Sequence, residues 1–316
     1  MKVISPFFII QDDLDQQGLM TRIEACGRVC YKSEDKIGAT SAAPFVRNII
    51  KRGHNSVLEM AVFTLRVAFD IDSALRQFLA ALPRYFSIDR LEKKEVLITG
   101  SVRAFREFGQ AHANIKMVKA IMVYLAKQHP LLFEDCSPKR GWPQQIGFSV
   151  EKMPLSTVDA LPVDVLVRHR NVGVKFIVNR AVTHEIVRHR PCSFLQESQR
   201  YCRYSEDKFG NEVTFIKPVF FAEESEEYRV WEGGMQDAER RYLKLLESST
   251  PQAARTVLPN SCKTELIVYT NLQEWHHIFR LRTSPGAEPS MREIMIPLLG
   301  VFKQRFPSIF EGISAE

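Results

Sequence analysis

A change of hydrophobic period between neighbouring segments most constrains what this chain can fold into. Residues 42–51 read as a helix that ends at Gly53, whereas the run from Val62 to Phe69 places its larger apolar side chains at every second position. The first pattern is typical of an amphipathic helix and the second of a half-buried strand. The fold therefore contains helices and strands in close succession.

Helical patterns account for most of the remaining chain. The sequence predicts helices over about 73–135, 174–190 and 264–283, around Met235–Leu246, and from Pro289 onward. Strands are expected over Met1–Ile10 and Val213–Ile216, and a proline-containing loop from Cys136 to Pro162. Because the sequence has no internal repeats and no low-complexity segments, we expect an α+β domain in which strands are segregated from long helices.

Composition places the chain among ordinary globular proteins. It has 316 residues, 45% of them hydrophobic and 25% charged, which is enough to bury a substantial core. Its six cysteines are scattered, and none has the short paired spacing of a zinc or thioredoxin-type site. No apolar run approaches the roughly 18 residues of a membrane span. We therefore expect a soluble protein of the reducing cytoplasm, without a metal site.

The charge balance favours anionic partners. A formal net charge of +6 and a pI near 9.0 suit nucleic acid, and they equally suit phosphorylated small molecules such as nucleotides and cofactors. Charge alone does not choose between them. Several arginines occupy defined positions within otherwise apolar helical patterns, which favours phosphate pockets over a nonspecific groove.

The densest group of functional side chains lies between Glu185 and Tyr201. Arginines, a histidine, serines and amides there make a donor-rich surface suited to phosphate and to the edges of a pyrimidine or flavin ring. Arg and His near a helix end also commonly satisfy the last carbonyls of that helix, so residue types alone leave a purely structural role open.

The spacing within this group favours the functional interpretation. Arg188-His189-Arg190 is followed, after seven residues, by Ser198 and then Gln199-Arg200-Tyr201, which resembles the signature of the flavin-dependent thymidylate synthases. A second triplet, Arg168-His169-Arg170, is followed after the same gap by an apolar residue. We expect this second triplet to be surface charge whose replacement leaves activity intact.

The resemblance extends to three other segments. They are Gly53-His54-Asn55-Ser56 with Glu59 before the strand at Val62, the stretch Ala254–Pro259, and the predicted helix from Asn271 to Arg282. Each has a local alternative: a capping box at Ser56 and Glu59, a surface Arg255, or a helix face without ligands. Asn271 and Arg282 are close to three helical turns apart and so share one face.

The resemblance implies a role for individual residues. Those implied to bind dUMP are Glu185, Arg188, Gln196, Ser198, Gln199, Arg200, Arg255 and Arg282. Those implied to bind FAD are Ser56, Arg188, His189, Arg190, Gln196, Asn271 and His277, with His54 and Glu59 lining the same neighbourhood. Arg282, expected at the pyrimidine edge, is the candidate catalytic residue.

The resemblance also implies a reaction and an assembly. Family members convert dUMP to dTMP with methylenetetrahydrofolate as the one-carbon donor and NADPH-reduced FAD as the hydride source. They are homotetramers with sites at subunit interfaces. The fold implied is a single domain over residues 1–316, with long helices, a mainly antiparallel sheet and a largely helical insertion at about 68–173.

Two departures from the family pattern leave alternatives open. Met60 stands where the family often has histidine, and residues 285–289 differ from the usual stretch. A flavoprotein that binds FAD and dUMP without synthase activity is one alternative. A basic nucleic-acid-binding protein is the alternative from another class.

Overall fold

The computed structural model describes residues 1–136, 146–206 and 209–314, which divide into two units. The first unit comprises Met1–Gln11, Gly27–Glu34 and Val172–Glu316. The second comprises Asp12–Cys26 and Asp35–Asn171. Each unit therefore draws on separate parts of the chain.

The regular elements alternate along the chain. Strands β1 to β10 are Lys2–Ile4, Phe7–Ile10, Val62–Phe69, Phe86–Glu92, Glu95–Ser101, Phe148–Lys152, Asn171–Asn179, Ser193–Gln196, Thr214–Ile216 and Lys263–Asn271. Helices α1 to α15 are Asp12–Asp15, Leu19–Tyr31, Ala42–Lys51, Asp72–Ala80, Val102–Ala111, Lys116–Gln128, Pro130–Phe133, Leu155–Asp159, Val163–His169, Arg180–Ile186, Glu226–Leu246, Pro251–Ala254, Leu272–Arg282, Pro289–Arg305 and Pro307–Phe310.

The sheet of the first unit has the order β2-β7-β10-β8. β2 runs antiparallel to β7, and β8 runs antiparallel to β10. A separate ribbon pairs β1 with β9 in parallel. The central strands β7 and β10 are buried along nearly their whole length, so they anchor the helices that follow them.

Aromatic side chains fill the helical core of the first unit. The Trp275 ring packs against Phe279 and Phe302, with centroids 5.5 and 5.3 Å away, and Phe302 lies 5.3 Å from Phe310. Trp275 Nε1 donates to the Val172 carbonyl at 3.1 Å, which satisfies its polar atom in the core. Burial of each such side chain stabilises the fold by about 1.5–3 kcal/mol.

The sheet of the second unit has the order β4-β5-β3-β6, with antiparallel neighbours. Phe63 on β3 stacks on Phe105 of α5 at 4.7 Å between centroids, and Phe86 packs edge-on against Phe105 at 4.8 Å. A Cβ at Gly100 would lie 2.5 Å from the Phe86 ring. Glycine at this position therefore allows the aromatic cluster to close onto the sheet.

Several sequence predictions are confirmed. The α+β class is correct, α3 and β3 have the predicted bounds, and β9 lies within the predicted strand. Gly53, with φ +68°, takes the left-handed conformation that ends α3. Pro289 is the first residue of α14.

Two predicted helices are wrong in their first halves. Residues 171–179 and 263–271 are strands β7 and β10, and the helices begin only at Arg180 and Leu272. Both strands lie inside the sheet and are buried on both faces, so they show no clear period-two alternation of apolar and polar residues. A short continuous apolar run does not distinguish a buried strand from a helix.

Other predictions need correction in the second unit and at the amino terminus. The stretch predicted as helical over 73–135 contains the hairpin β4–β5, because β5 is buried throughout and carries no alternation. The predicted loop contains β6 and α8, and its residues 137–145 lie outside those described. Met1–Ile10 forms two strands instead of one.

Two residues of the triplet Arg168-His169-Arg170 are not surface charge, contrary to expectation, whereas Arg168 is 38% exposed. Arg170 is 4% exposed and His169 2% exposed. The Arg170 guanidinium donates to Asp159 Oδ1 at 2.7 Å and to Asp15 Oδ2 at 2.9 Å. The pair with Asp15 is buried and the pair with Asp159 is half-exposed, and together they link α1 and α8 of the second unit.

His169 completes a buried hydrogen-bond chain in the same unit. Its Nε2 lies 2.9 Å from the Asp89 carboxylate, its Nδ1 lies 2.6 Å from Thr99 Oγ1, and Thr99 in turn contacts Thr64 Oγ1 at 2.6 Å. The order of hydroxyl, imidazole and carboxylate resembles a hydrolase triad. Both threonines are buried inside the sheet, however, so a substrate has no access and the chain is structural.

No helix within the described ranges combines the length and apolarity that crossing a bilayer requires.

Candidate functional site

Two strand–asparagine–helix junctions build the candidate site of the first unit. β7 ends at Asn179, whose Oδ1 accepts a hydrogen bond from Val182 N at 2.9 Å and caps α10. β10 ends at Asn271, whose Oδ1 accepts from Glu274 N at 2.9 Å and caps α13. Asparagine is among the strongest N-cap residues. The adjacent strands thereby fix where both helices begin.

Arg282, at the end of α13, is bound to the end of α10. Its Nη1 donates to Glu185 Oε2 at 2.6 Å, its Nη2 to the Glu185 carbonyl at 3.0 Å, and its Nε to His189 Nε2 at 3.1 Å. The side chain is 17% exposed. Three different guanidinium nitrogens therefore fix the orientation of Arg282, and they also satisfy a carbonyl at the helix end.

Arg282 determines the tautomer of His189. Because a guanidinium only donates, His189 Nε2 must be an unprotonated acceptor, and the proton of the neutral ring lies on Nδ1. Burial, the Arg282 charge and His277 together lower the pKa of His189 to about 4. The imidazole at the centre of the motif is therefore neutral at physiological pH and presents an Nδ1–H donor.

Glu274 and His277, on α13, face the same imidazole. His189 Nδ1 lies 3.5 Å from Glu274 Oε1, and the rings of His189 and His277 are 5.7 Å apart between centroids. Glu274 Oε1 is buried and has no hydrogen-bond partner among the described residues. Burial raises the pKa of this carboxyl group.

Arg188 and Arg190 flank the buried His189 and are themselves exposed. Within the part of the chain that the structure describes, neither guanidinium forms a hydrogen bond or ion pair, and the half-buried Arg255 guanidinium forms none either. These three cations differ from Arg168 and Arg170, which carboxylates neutralise. They are available to an anionic ligand.

Arg200 contacts the helix α12 that precedes Arg255. Arg200 Nε donates to Gln252 Oε1 at 3.2 Å, and Gln252 lies one helical turn before Arg255. Ser198 Oγ accepts from Arg200 N at 3.3 Å, which orders the loop after the motif. Two guanidinium side chains and a hydroxyl are residue types suited to a phosphate.

The two amides of the motif point inward. Gln196 Nε2 donates to Thr183 Oγ1 at 3.1 Å and to Thr264 Oγ1 at 3.3 Å. Gln199 is 7% exposed, and its Nε2 contacts Cys262 Sγ at 3.6 Å. In this arrangement the Gln199 amide belongs to the core, and its role toward dUMP stays a prediction.

The remaining predicted flavin residues lie in the second unit. Ser56 is exposed, and the half-buried Glu59 accepts from Arg103 Nη1 at 2.6 Å. The capping-box prediction is wrong, because the 3₁₀ turn runs from Asn55 to Met60 and its N-cap is His54, without a side-chain cap. The flavin roles of Ser56, His54 and Glu59 remain predictions.

The two departures from the family pattern have structural roles. Met60 is fully buried, and its carbonyl accepts from Arg22 Nε within the second unit. Glu288, in the first unit, accepts from Met291 N at 2.9 Å and caps α14. Both residues therefore support the local fold.

A cavity of about 330 Å³ in the first unit is lined by lysines whose charges are neutralised by carboxylates. Lys32 and Lys263, which line it, donate to Glu265 at 2.7 and 2.8 Å, and Lys263 also reaches the buried Glu197 at 2.8 Å. Burial opposes ionisation of Glu265, but the lysines outweigh it and lower its pKa to about 2. We interpret these lysines as members of a structural ion-pair network.

The fold and the junction define an α+β protein with an arginine- and histidine-rich site suited to an anionic ligand. The model of the family described as thymidylate synthase complementing protein matches residues 14–80 and 165–308, which is more than half of the chain. The chain therefore belongs to this family. The unmatched residues 81–164 fall within the predicted insertion at 68–173.

Individual relatives match shorter stretches. A flavin-dependent thymidylate synthase of Geobacter sulfurreducens is 34% identical over 134 residues, which are 42% of this chain and 56% of that protein. One of Pyrococcus abyssi is 33% identical over 128 residues, covering 40% and 52%. The chain thus spans about half the length of these curated relatives.

A solved structure is more distantly similar. It is Thymidylate Synthase X of Helicobacter pylori with FAD and dUMP, with a TM-score of 0.39 and 19% identity. The similarity covers 47% of this chain and 74% of that one.

Sequence reasoning missed Glu274 and Glu197. Glu274 stands three residues before His277, so the Glu-x-x-His spacing on one helix face was a usable signal. Glu197 is fully shielded and pairs with Lys263 and Tyr204. A buried carboxylate within the motif has no signature in the sequence, because its partners come from other segments.

Proposed function

We propose that this protein is a flavin-dependent thymidylate synthase that converts dUMP to dTMP. The observation that carries the proposal is the Arg282 clamp: the motif histidine and Glu185 hold the one arginine that the family resemblance places at the pyrimidine edge. Membership of the family and the names of the matched relatives support the same reaction.

The donor set of the first unit fits FAD. Arg188 and Arg190 offer guanidiniums without a carboxylate partner in the described chain, as a pyrophosphate requires. His189 offers an Nδ1–H, and Asn271 and His277 add polar atoms suited to a flavin ring. We propose these residues with Gln196 and Ser56 as the FAD ligands. When bound, FAD supplies the redox chemistry.

The substrate dUMP asks for a phosphate site and a base site. Arg200, Arg255 and Ser198 have the chemistry for the phosphate, and Arg188 adds a further cation. Glu185 and Arg282, with Gln196 and Gln199, are proposed at the base. A guanidinium at the uracil edge favours the ionised imide and makes C5 more nucleophilic.

The clamp serves this role by removing freedom from Arg282. A guanidinium with three fixed contacts loses little further entropy when a substrate binds. Neutral His189 adds no repulsion to the Arg282 charge, because its pKa lies at about 4. We therefore propose that Glu185 and His189 position Arg282 and that Arg282 acts on the pyrimidine.

Further parts of the proposal rest on the family alone. They are methylenetetrahydrofolate and NADPH as co-substrates, a homotetramer with sites at subunit interfaces, and a cytoplasmic location that the scattered cysteines favour.

An absorbance spectrum tests the proposal. The purified protein is expected to show flavin bands that shift when dUMP is added, and to form dTMP from dUMP, methylenetetrahydrofolate and NADPH. Arg190→Ala should lower the flavin content several-fold, because it removes a proposed pyrophosphate partner. Arg240→Ala is the matched control, since Arg240 is 73% exposed and its ion pair is a local one with Asp237, three residues before it.

Three outcomes would overturn parts of this proposal. Salt-sensitive DNA binding without a flavin spectrum would favour the nucleic-acid-binding alternative. FAD and dUMP binding without dTMP formation would favour a flavoprotein lacking synthase activity. Equal flavin loss in Arg190→Ala and Arg240→Ala would show that Arg190 is not a flavin ligand and would overturn the placement of the flavin at this motif.

The motif cysteine is not expected to be a nucleophile. Burial raises the pKa of Cys192 to about 12, so its thiol stays protonated at neutral pH. Cys192→Ala should therefore retain dTMP formation, whereas Ser198→Ala should raise the KM for dUMP more than it lowers kcat. Steady-state kinetics of both variants measure this difference. A covalent dUMP adduct at Cys192, trapped during turnover, would contradict the prediction.

A further inference from the structure

His189, Glu274 and His277 form a cluster that the proposed reaction leaves partly unexplained. One ligand atom from each lies within 4.8 Å of the other two. The reaction proposed above uses the two imidazoles but gives no role to the Glu274 carboxylate, whose Oε1 is buried without a hydrogen bond to any described residue. His189 Nδ1, at 3.5 Å, forms no hydrogen bond with this oxygen, and a buried carboxylate oxygen without a hydrogen bond is costly and calls for a partner.

The cluster has the chemistry of a divalent transition-metal site. Two imidazoles and one carboxylate are the protein ligands of several zinc sites that keep a further position open. Glu274 and His277 are three residues apart and share one face of α13, so a single helix supplies two ligands. Asn271 caps that helix and fixes its first turn, where Glu274 lies.

We propose that His189, Glu274 and His277 bind a divalent transition-metal ion such as Zn²⁺. Each ligand atom must approach to about 2.0–2.2 Å from the ion, so the three ligand atoms, which lie within 4.8 Å of one another, must draw together on binding. This proposal departs from the expectation of no metal site, which rested on the spacing of the cysteines; the proposed ligands are two histidines and a glutamate.

Arg282 opposes metal binding in the present arrangement. Coordination through His189 Nδ1 removes the proton from that atom and places it on Nε2. Nε2–H then faces Arg282 Nε–H, and two donors repel one another. The ion therefore binds only when Arg282 Nε withdraws, while its Nη1 retains Glu185.

If the proposed function holds, binding of the metal ion and binding of FAD should exclude each other. His189 and His277 serve both ligands, so an ion on them removes two flavin contacts. Binding of Zn²⁺ by the cluster itself does not depend on flavin.

Titration of the EDTA-washed, flavin-free full chain with Zn²⁺ tests the site by calorimetry, and Co²⁺ serves as a visible-absorbance probe. We expect one ion per chain, and at least ~10-fold weaker binding in Glu274→Gln. His276→Gln is the matched control, because His276 neighbours His277 on α13 but lies outside the cluster, and its affinity should not change. Arg282→Ala should bind Zn²⁺ more tightly.

Equal Zn²⁺ affinity in the original chain, Glu274→Gln and His276→Gln would overturn the site, as would tighter binding after loss of Glu274. Weaker binding in Arg282→Ala would overturn the opposing role of Arg282. In the FAD-loaded chain, undiminished Zn²⁺ affinity would overturn mutual exclusion. If the chain takes up no FAD at all, the proposed function fails while the Zn²⁺ titration still decides the metal site.

Discussion

Replacing Arg282 with alanine is expected to lower dTMP formation by roughly a hundredfold or more, as when a transition-state charge partner is removed. The chain should still fold and retain FAD, because Glu185 is 32% exposed and can be hydrated after the loss. The lost hydrogen bonds should cost about 1–3 kcal/mol of unfolding free energy. Arg282→Lys should recover little activity, since an ammonium cannot reach Glu185 and His189 in the same planar geometry.

Parallel assays of dTMP formation and NADPH oxidation, with the flavin spectrum as a check of loading, measure the effect. Arg280→Ala is the matched control: Arg280 is an exposed arginine on the same helix, and its loss should leave both rates near the original. A near-normal rate of dTMP formation in Arg282→Ala would assign Arg282 to the end of α10 and not to the chemistry.

Arg170→Gln is expected to destabilise the protein by about 3–5 kcal/mol, the usual cost of breaking a buried ion pair. The substitution leaves Asp15, whose side chain is 3% exposed, with one fewer positive partner. Arg168→Gln is the control within the same triplet, because Arg168 is 38% exposed and its pair with Asp89 is solvent-screened. Its loss should cost about 1 kcal/mol or less.

Urea unfolding of the two variants compares these costs directly. If Arg170→Gln unfolds at the same urea midpoint as the original chain, the buried pair contributes little stability, and the triplet acts as surface charge, as the sequence predicts. If Arg170→Gln unfolds at a lower urea midpoint but the folded variant keeps its flavin content, Arg170 has a structural role and does not belong to the active site.

Local signals in the sequence predict the type and bounds of an element when one of its sides faces solvent. β3 alternates and α3 ends at a glycine with positive φ, so both were predictable to the residue. β7 and β10 have no such side. Asn179 and Asn271 mark the two strand-to-helix junctions in the sequence, because asparagine is common at the N-cap and rare in strand interiors.

The site was predictable as a set of residues but not as a set of contacts. The spacing after Arg188-His189-Arg190 singled out the motif, yet nothing in it shows that His189 is buried while its neighbours are exposed. The contact between Arg282 and Glu185 joins distant segments, and so does the pairing that buries Arg170. Such contacts depend on topology, which short motifs do not encode.

The interleaving of the two units along the chain has a consequence for folding during synthesis. Most of the second unit, including β3 to β6, emerges as one stretch, and its hairpin β4–β5 joins strands that are adjacent in sequence and so forms early. The pairing of β3 with β6, Leu65 opposite Lys152, closes a much longer loop and follows later. β2 emerges before this stretch but pairs with β7, Phe7 opposite Ile177, and so stays unpaired until that strand has left the ribosome. An apolar strand that waits in this way is open to association with other chains, so the nascent protein depends on rapid completion or on chaperones.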